Sequence, residues 1–267
     1  MQTGWLTALI VIGTNYVALA GEFKPFEGPK PIAVLIESNP WRMVMGSDTP
    51  RCIVYENREV LFLKKDGCYQ HKLSDQEFAA FTNRLTGLTR LPNPKRFYDL
   101  CPNITDQGDT YVYVALGGRH IATQVYGSMP GDPESPHDPD CDEGSKKPDK
   151  LPDSLVQLCS FLRSIGNPQS RRWQPKYIEV MVWPKEYALW QPITWPKEWP
   201  SLDSERAVKR GDSYSIFLHA DLLPKSQKFL RSRRETGALE IGGKKWAATY
   251  RYVFPSEPVW RKVLYTR

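Results

Sequence analysis

Few of the features that announce a common enzyme or a membrane protein occur in this chain. Its 267 residues include only four histidines, His71, His120, His137 and His219, which leaves little room for imidazole-based acid–base chemistry. The five cysteines, Cys52, Cys68, Cys101, Cys141 and Cys159, form no C-x-x-C pair, so neither a zinc site nor a dithiol redox motif is supported. No glycine-rich phosphate loop, dinucleotide fingerprint, H-E-x-x-H or G-x-S-x-G is present. These absences remove the familiar families without excluding catalysis by another constellation. There is no heptad array and no collagen period. Only one apolar stretch approaches a membrane span, which excludes a polytopic membrane protein.

What is present describes a soluble, globular chain. Hydrophobic residues make up 40% and charged residues 25%, enough apolar material at this length to bury a core without a metal. Two excesses stand out, 23 Pro and 9 Trp. Compartment and construction are more legible than activity.

Residues 1–20 contain no Lys, Arg, Asp or Glu, and Trp5 to Ile12 is a short apolar run. Ala18 and Ala20 supply the small residues that a signal peptidase reads, so the segment is expected to be a secretory signal cleaved after Ala20. Two alternatives stay open. One is an uncleaved membrane anchor, short because Thr14 and Asn15 interrupt it; the other is a buried N-terminal element. Export would place the protein outside the cytoplasm, periplasmic or secreted, or anchored and facing outward. Disulfides are plausible there. Cys52 with Cys68, flanking one hairpin, and Cys101 with Cys141, tying two loops, are the expected pairs. The competing reading is five small buried apolar residues.

Along the chain, Pro31 to Ser38 reads as a first strand, and Cys52 to Leu63 as two short ones with a turn at Glu56-Asn57. Ser74 with Glu77 makes a capping box, followed by Phe78, Phe81, Leu85 and Leu88 on one helical face. Gly117-Gly118 predicts a hairpin between Thr110–Leu116 and Arg119–Tyr126. Residues 128–150 are an acidic, Pro-rich loop, and Leu155, Leu158, Leu162 and Ile165 mark a second helix. Residues 167–176 look like a linker. Then come strands at Tyr177 to Trp183 and Ser213 to His219, a helix from Pro224, and a hairpin around Gly242-Gly243. The expected fold is α+β, two small antiparallel-sheet-plus-helix domains (21–170 and 171–267) that could pack as one unit.

Charge is uneven. Residues 171–267 hold 19 Lys and Arg against 10 Asp and Glu, a balance of +9, while residues 1–170 balance at −3. The basic half also carries most of the tryptophan. WPKE occurs at 183–186 and again at 195–198, and Trp183, Trp190, Trp195 and Trp199 lie on a segment that its prolines keep extended. Indole faces on a stiff segment can dock a partner or stack on a sugar, or they can fold back over a small sheet. Lys225, Lys228, Arg231 and Arg234 on the following helix, with Lys244 and Lys245 in the hairpin, add a cationic face.

Other chemistry has weaker support. His219 stands two residues from Asp221, an imidazole–carboxylate pair that could serve a hydrolase. Cys52 beside Arg51 could be a tuned thiolate. Asp138, Asp140 and Asp142 alternate in the acidic loop, but Gly144 and Pro139 spoil a calcium-loop pattern. None of these is specific enough to assign a catalytic residue, a metal ligand or a cofactor.

The Thr105-Asp106-Gln107 turn before a hairpin, together with WPKEYA at 183–188, resembles uncharacterised exported bacterial proteins that start with strands and carry a later Trp-Pro-rich stretch. The resemblance spans most of residues 40–260 and brings no activity with it. The expectation is therefore a non-enzymatic extracytoplasmic binding protein. Its expected partner is another protein or a membrane complex, with an acidic glycan or lipid headgroup as alternatives and nucleic acid disfavoured. An accessory subunit of a membrane complex, tethered by the N-terminal segment, and a hydrolase of unknown type are the other readings.

Overall fold

The computed structural model describes residues 23–38, 49–90, 94–130, 139–234 and 236–265. In chain order the first half comprises β1 (Pro31–Ser38), β2 (Pro50–Tyr55), β3 (Glu59–Lys64), β4 (Gly67–Lys72), α1 (Asp75–Leu88), β5 (Phe97–Asp99), β6 (Asp109–Leu116), β7 (Arg119–Tyr126) and α2 (Asp153–Arg163). The second half adds β8 (Arg171–Arg172), β9 (Tyr177–Pro184), β10 (Ile193–Thr194), β11 (Ala207–Arg210) and β12 (Ser213–His219). It closes with α3 (Leu223–Ser232), β13 (Leu239–Ile241), β14 (Lys244–Tyr252) and α4 (Glu257–Leu264). The fold class is α+β.

Two sheets result, in the orders β5-β7-β6-β1-β2-β3-β4-β8 and β10-β13-β14-β9-β12-β11. Pairing is antiparallel except where the short strands β5 and β10 run parallel to β7 and β13. The Gly117-Gly118 turn has φ of 57° and 75°, the positive values that a tight hairpin needs and that glycine adopts without a Cβ clash. In α1 the Ser74 hydroxyl accepts the Glu77 N–H at 3.2 Å, and Glu77 accepts the Ser74 N–H at 2.7 Å.

Helices cover both faces of the larger sheet. Phe81 and Leu85 of α1 and Leu155, Leu158 and Leu162 of α2 pack on Leu35, Val54, Val112 and Val114. On the reverse face Val34, Ile36, Ile53, Tyr111 and Tyr113 lie under Trp260 and Leu264 of α4. Burial on both sides explains why β1 is a continuous apolar run rather than an alternating one. Helix α4 belongs in sequence to the second half but packs on the first sheet. The expected linker is stitched to that sheet too: Arg171–Arg172 pairs with Tyr69 and Gln70, and the Trp173 ring stacks on Phe254 at 5.1 Å.

The smaller sheet buries Ile178, Val180, Val182, Ile216, Leu218 and Leu239 beneath α3. Its other face meets Phe23 and Phe26, whose rings lie 5.5 and 5.7 Å from Phe217. Also on that face are two fully buried glutamates, Glu179 and Glu257, held by Arg251 and joined to Arg210 and Arg261.

The cysteines divide. Cys101 and Cys141 form a disulfide, with an S–S distance of 1.96 Å. The expected Cys52–Cys68 bridge is absent, because the two thiols belong to cores on opposite faces of the sheet. Strand β3 also lies between their strands, separating them by two spacings of roughly 4.8 Å each, beyond disulfide reach. Residues 1–20, expected to be a leader or an anchor, and Asp138 of the acidic loop lie outside the described residues.

Candidate binding surface

Strand β9 runs beyond the core and ends at the first WPKE. Trp183, opposite Ala247 on β14, stands on the face away from the α3 core and is 38% exposed. The ladder gains one more bond, from the Lys185 N–H to the Lys245 carbonyl at 3.0 Å, and then the chain leaves the sheet. It returns where the Ile193 N–H donates to the Ala238 carbonyl at 3.1 Å. Residues 186–192 therefore form a loop with both feet fixed in the sheet.

Apolar side chains collect on this loop. Tyr187 is 93% exposed, Leu189 85% and Trp190 45%. One exposed leucine is ordinary, but three large apolar residues exposed within four positions of one loop are not. Trp190 is held in place. Its indole N–H donates to Thr236 Oγ1 at 3.0 Å, and the Arg234 guanidinium lies 3.9 Å above its ring, a cation–π contact.

The second WPKE has the opposite fate. Trp195 and Trp199 are each 6% exposed, packed edge to face 5.0 Å apart and against Phe229 of α3. The Trp195 indole donates to the Pro200 carbonyl at 3.0 Å. Both are core residues, which corrects their placement on the contact surface. A sheet this small needs large side chains to cover its face, and α3 presses them onto it.

Of the expected cations, Lys225, Lys228, Arg231, Arg234, Lys244 and Lys245 are all exposed. The structure brings Arg234 to Trp190, and Lys244 and Lys245 to the foot of the loop beside Trp183. Lys225 and Lys228 lie farther along α3, with Lys225 six residues, or roughly 9 Å, before Arg231. Sequence reasoning passed over Tyr187 and Leu189 and named Arg233 only as one of the cations of the basic helix. The signal for the first two was apolar residues between Pro184 and Pro192 without a helical or strand period. Arg233 is half-buried, and its Nε and Nη1 are shielded from water with no hydrogen-bond partner among the described residues. Burial pushes its pKa down from an ordinary value so high that it stays charged.

The other candidates fare differently. His219 Nδ1 lies 2.9 Å from Asp221 Oδ2, but the side chains are 50% and 87% exposed, and the pair sits at the start of the turn that leads into α3. The imidazole is half open to water and packs edge to face on the Tyr177 ring, 5.9 Å away. Cys52 is buried, and desolvation pushes its thiol far above the ordinary range despite the opposing pull of Arg51, so the tuned-thiolate reading fails. Among the described residues no three His, Cys, Asp or Glu side chains converge as metal ligands. A shallow cleft of about 500 Å³ is lined by Leu100, Asp149, Asp153 and Gln157. Asp149 there is already held by Lys95 Nζ at 2.7 Å and the Asp99 N–H at 3.0 Å. These two hydrogen bonds, that of Lys95 foremost, keep its carboxyl below the usual range. No helix among the described residues is long and apolar enough to cross a membrane.

Comparison of the chain with protein-family models, curated proteins and solved structures gives no match in any of the three. Its function rests on its own geometry.

Proposed function

We propose that this chain is a non-enzymatic, extracytoplasmic binding protein that meets its partner through the 183–190 segment and the cations around it. The observation that carries the reading is the anchored loop with Tyr187, Leu189 and Trp190 exposed at its tip. A loop fixed at both feet holds apolar groups in water without the entropy loss that a floppy segment would suffer on docking. The Cys101–Cys141 disulfide supports an oxidising compartment, and the uncharged residues 1–20 support export. Those same residues favour a second reading, in which they tether the protein as an accessory subunit of a membrane complex.

The test is site-specific photocrosslinking in the native host. A photoreactive phenylalanine analogue replaces Tyr187 in one strain and exposed Lys65 in another. A light-dependent adduct at position 187, absent at 65 and lost when Leu189→Asp is added, is the expected result. No adduct at 187 to either protein or lipid, or equal adducts at both positions, would overturn the reading.

A further inference from the structure

The shape and charge of the loop narrow the partner. The centre of a protein–protein interface lies within a packed patch of about 800 Å² on each side, with aromatic anchors surrounded by contacts that exclude water. Here the most exposed apolar groups, Tyr187 and Leu189, sit on a loop anchored in the sheet, and lysines and arginines outnumber the carboxylates around its base, where Glu240 stands opposite Lys245. Arg234 lies on Trp190, and Lys244 and Lys245 flank the foot of the loop. Glu186 is the one carboxylate within the loop. Arg233, beside Arg234, adds a half-buried guanidinium whose Nε and Nη1 have no hydrogen-bond partner among the described residues. The whole second half carries +9 against −3 for the first, a polarity that turns this half toward a negative surface.

Tyrosine and tryptophan, with an apolar ring and one polar edge, suit the headgroup layer of a bilayer. Lysine and arginine suit its anionic phosphates. Leu189 can enter the layer just below. Taking the loop as the contact surface proposed above, we infer that the Tyr187–Trp190 tip docks on an anionic lipid bilayer, with Tyr187 and Leu189 inserted and Arg234, Lys244 and Lys245 against the lipid phosphates.

The experiment is vesicle flotation with the full protein as its host produces it. Phosphatidylcholine vesicles are compared with vesicles in which one-quarter of the lipid is phosphatidylglycerol. The expected result is tighter binding to the anionic vesicles that weakens as salt rises. Leu189→Asp should lower the affinity by about tenfold or more, since a leucine's burial is replaced by a charge repelled from the surface. Residues 189, 244 and 245 are all exposed, and an unchanged Tm is the check that each variant folds. Lys244→Ala/Lys245→Ala should abolish the preference for anionic lipid while leaving the tip intact. Equal binding to both vesicles, or anionic binding that Leu189→Asp leaves unchanged, would overturn the inference. A light-dependent protein adduct at position 187 without any vesicle binding would also overturn it while leaving the binding-protein reading in place. Absence of both signals would remove the two together.

Discussion

Replacing Arg251 by Met removes the cation between two carboxylates that have no access to water. Glu179 and Glu257 are both 0% exposed, and Arg251 itself is 9% exposed. Glu179 stands directly opposite Arg251 across the β9–β14 ladder, and Glu257 is the first residue of α4. The two glutamates are not equally placed to survive the loss. Glu257 keeps Arg261 and the Phe254 N–H, at 3.2 Å. Glu179 keeps only Arg210, 3.6 Å away and half exposed, and its oxygens make no hydrogen bond of ordinary geometry among the described residues. Stranding a buried charge in this way costs about 3–5 kcal/mol, whereas neutralising both partners together costs far less. Urea unfolding of the wild type, Arg251→Met, Glu179→Gln and the double variant measures both terms. The expected result is a loss of about 3–5 kcal/mol for Arg251→Met and a double variant that is clearly less destabilised than the sum of the singles. A loss below about 1 kcal/mol, or strict additivity, would refute the view that this network joins the smaller sheet to the helix on the larger one.

Three further outcomes are expected. Trp195→Ala and Trp199→Ala should each lose about 3–5 kcal/mol in chemical denaturation, while Trp190→Ala loses about 1 kcal/mol or less; equal losses would contradict the different burial of the WPKE copies. The free thiols Cys52, Cys68 and Cys159 are buried, and burial pushes Cys68 up to about 11 and Cys159 up to about 12, so an aromatic disulfide reagent at about pH 8 should label none of them in the native protein and all three once it is unfolded. Rapid native labelling would show that one of them is accessible. Asp149 has a lowered carboxyl pKa, so its ion pair stabilises the fold above the ordinary carboxylate value of about 3.9 and is lost as pH falls through the lower folded value. Asp149→Asn should therefore weaken the fold at neutral pH and flatten its dependence on acid, and a stability–pH curve parallel to that of the wild type would disprove the assignment.

Local signals were sufficient wherever a few neighbouring residues satisfy one another. Ser74 and Glu77 cap α1 from three positions apart, and the paired glycines at 117–118 and 242–243 dictate their hairpins, since the backbone there takes positive φ. The cationic residues of the candidate surface were legible for the same reason, as charge stays in water unless something pairs it. Helix α4 was not legible. It is eight residues long, and its cap, Ser256, has φ of +51° and makes no side-chain capping bond. Beyond the i,i+4 pair of Glu257 with Arg261, its stability comes from packing on the first sheet and from the Glu257–Arg251 contact. No neighbouring residue encodes either.

The two WPKE copies mark the boundary most clearly. The sequence by itself determined that neither copy is helical, because proline fixes its own φ and restricts the residue before it; the expected extended run holds only to Pro184 in the first copy, and the second turns, with the Trp199 N–H donating to the Pro196 carbonyl at 3.1 Å. Tertiary structure alone decided that Trp183 ends on an open face of β9 while Trp195 is sealed under Phe229. It also set Cys52 and Cys68 on opposite faces and Glu179 against Arg251. Burial is a property of what lies across from a residue, and partners that meet across a sheet or beneath a helix are separated by a chain length that local pattern does not span.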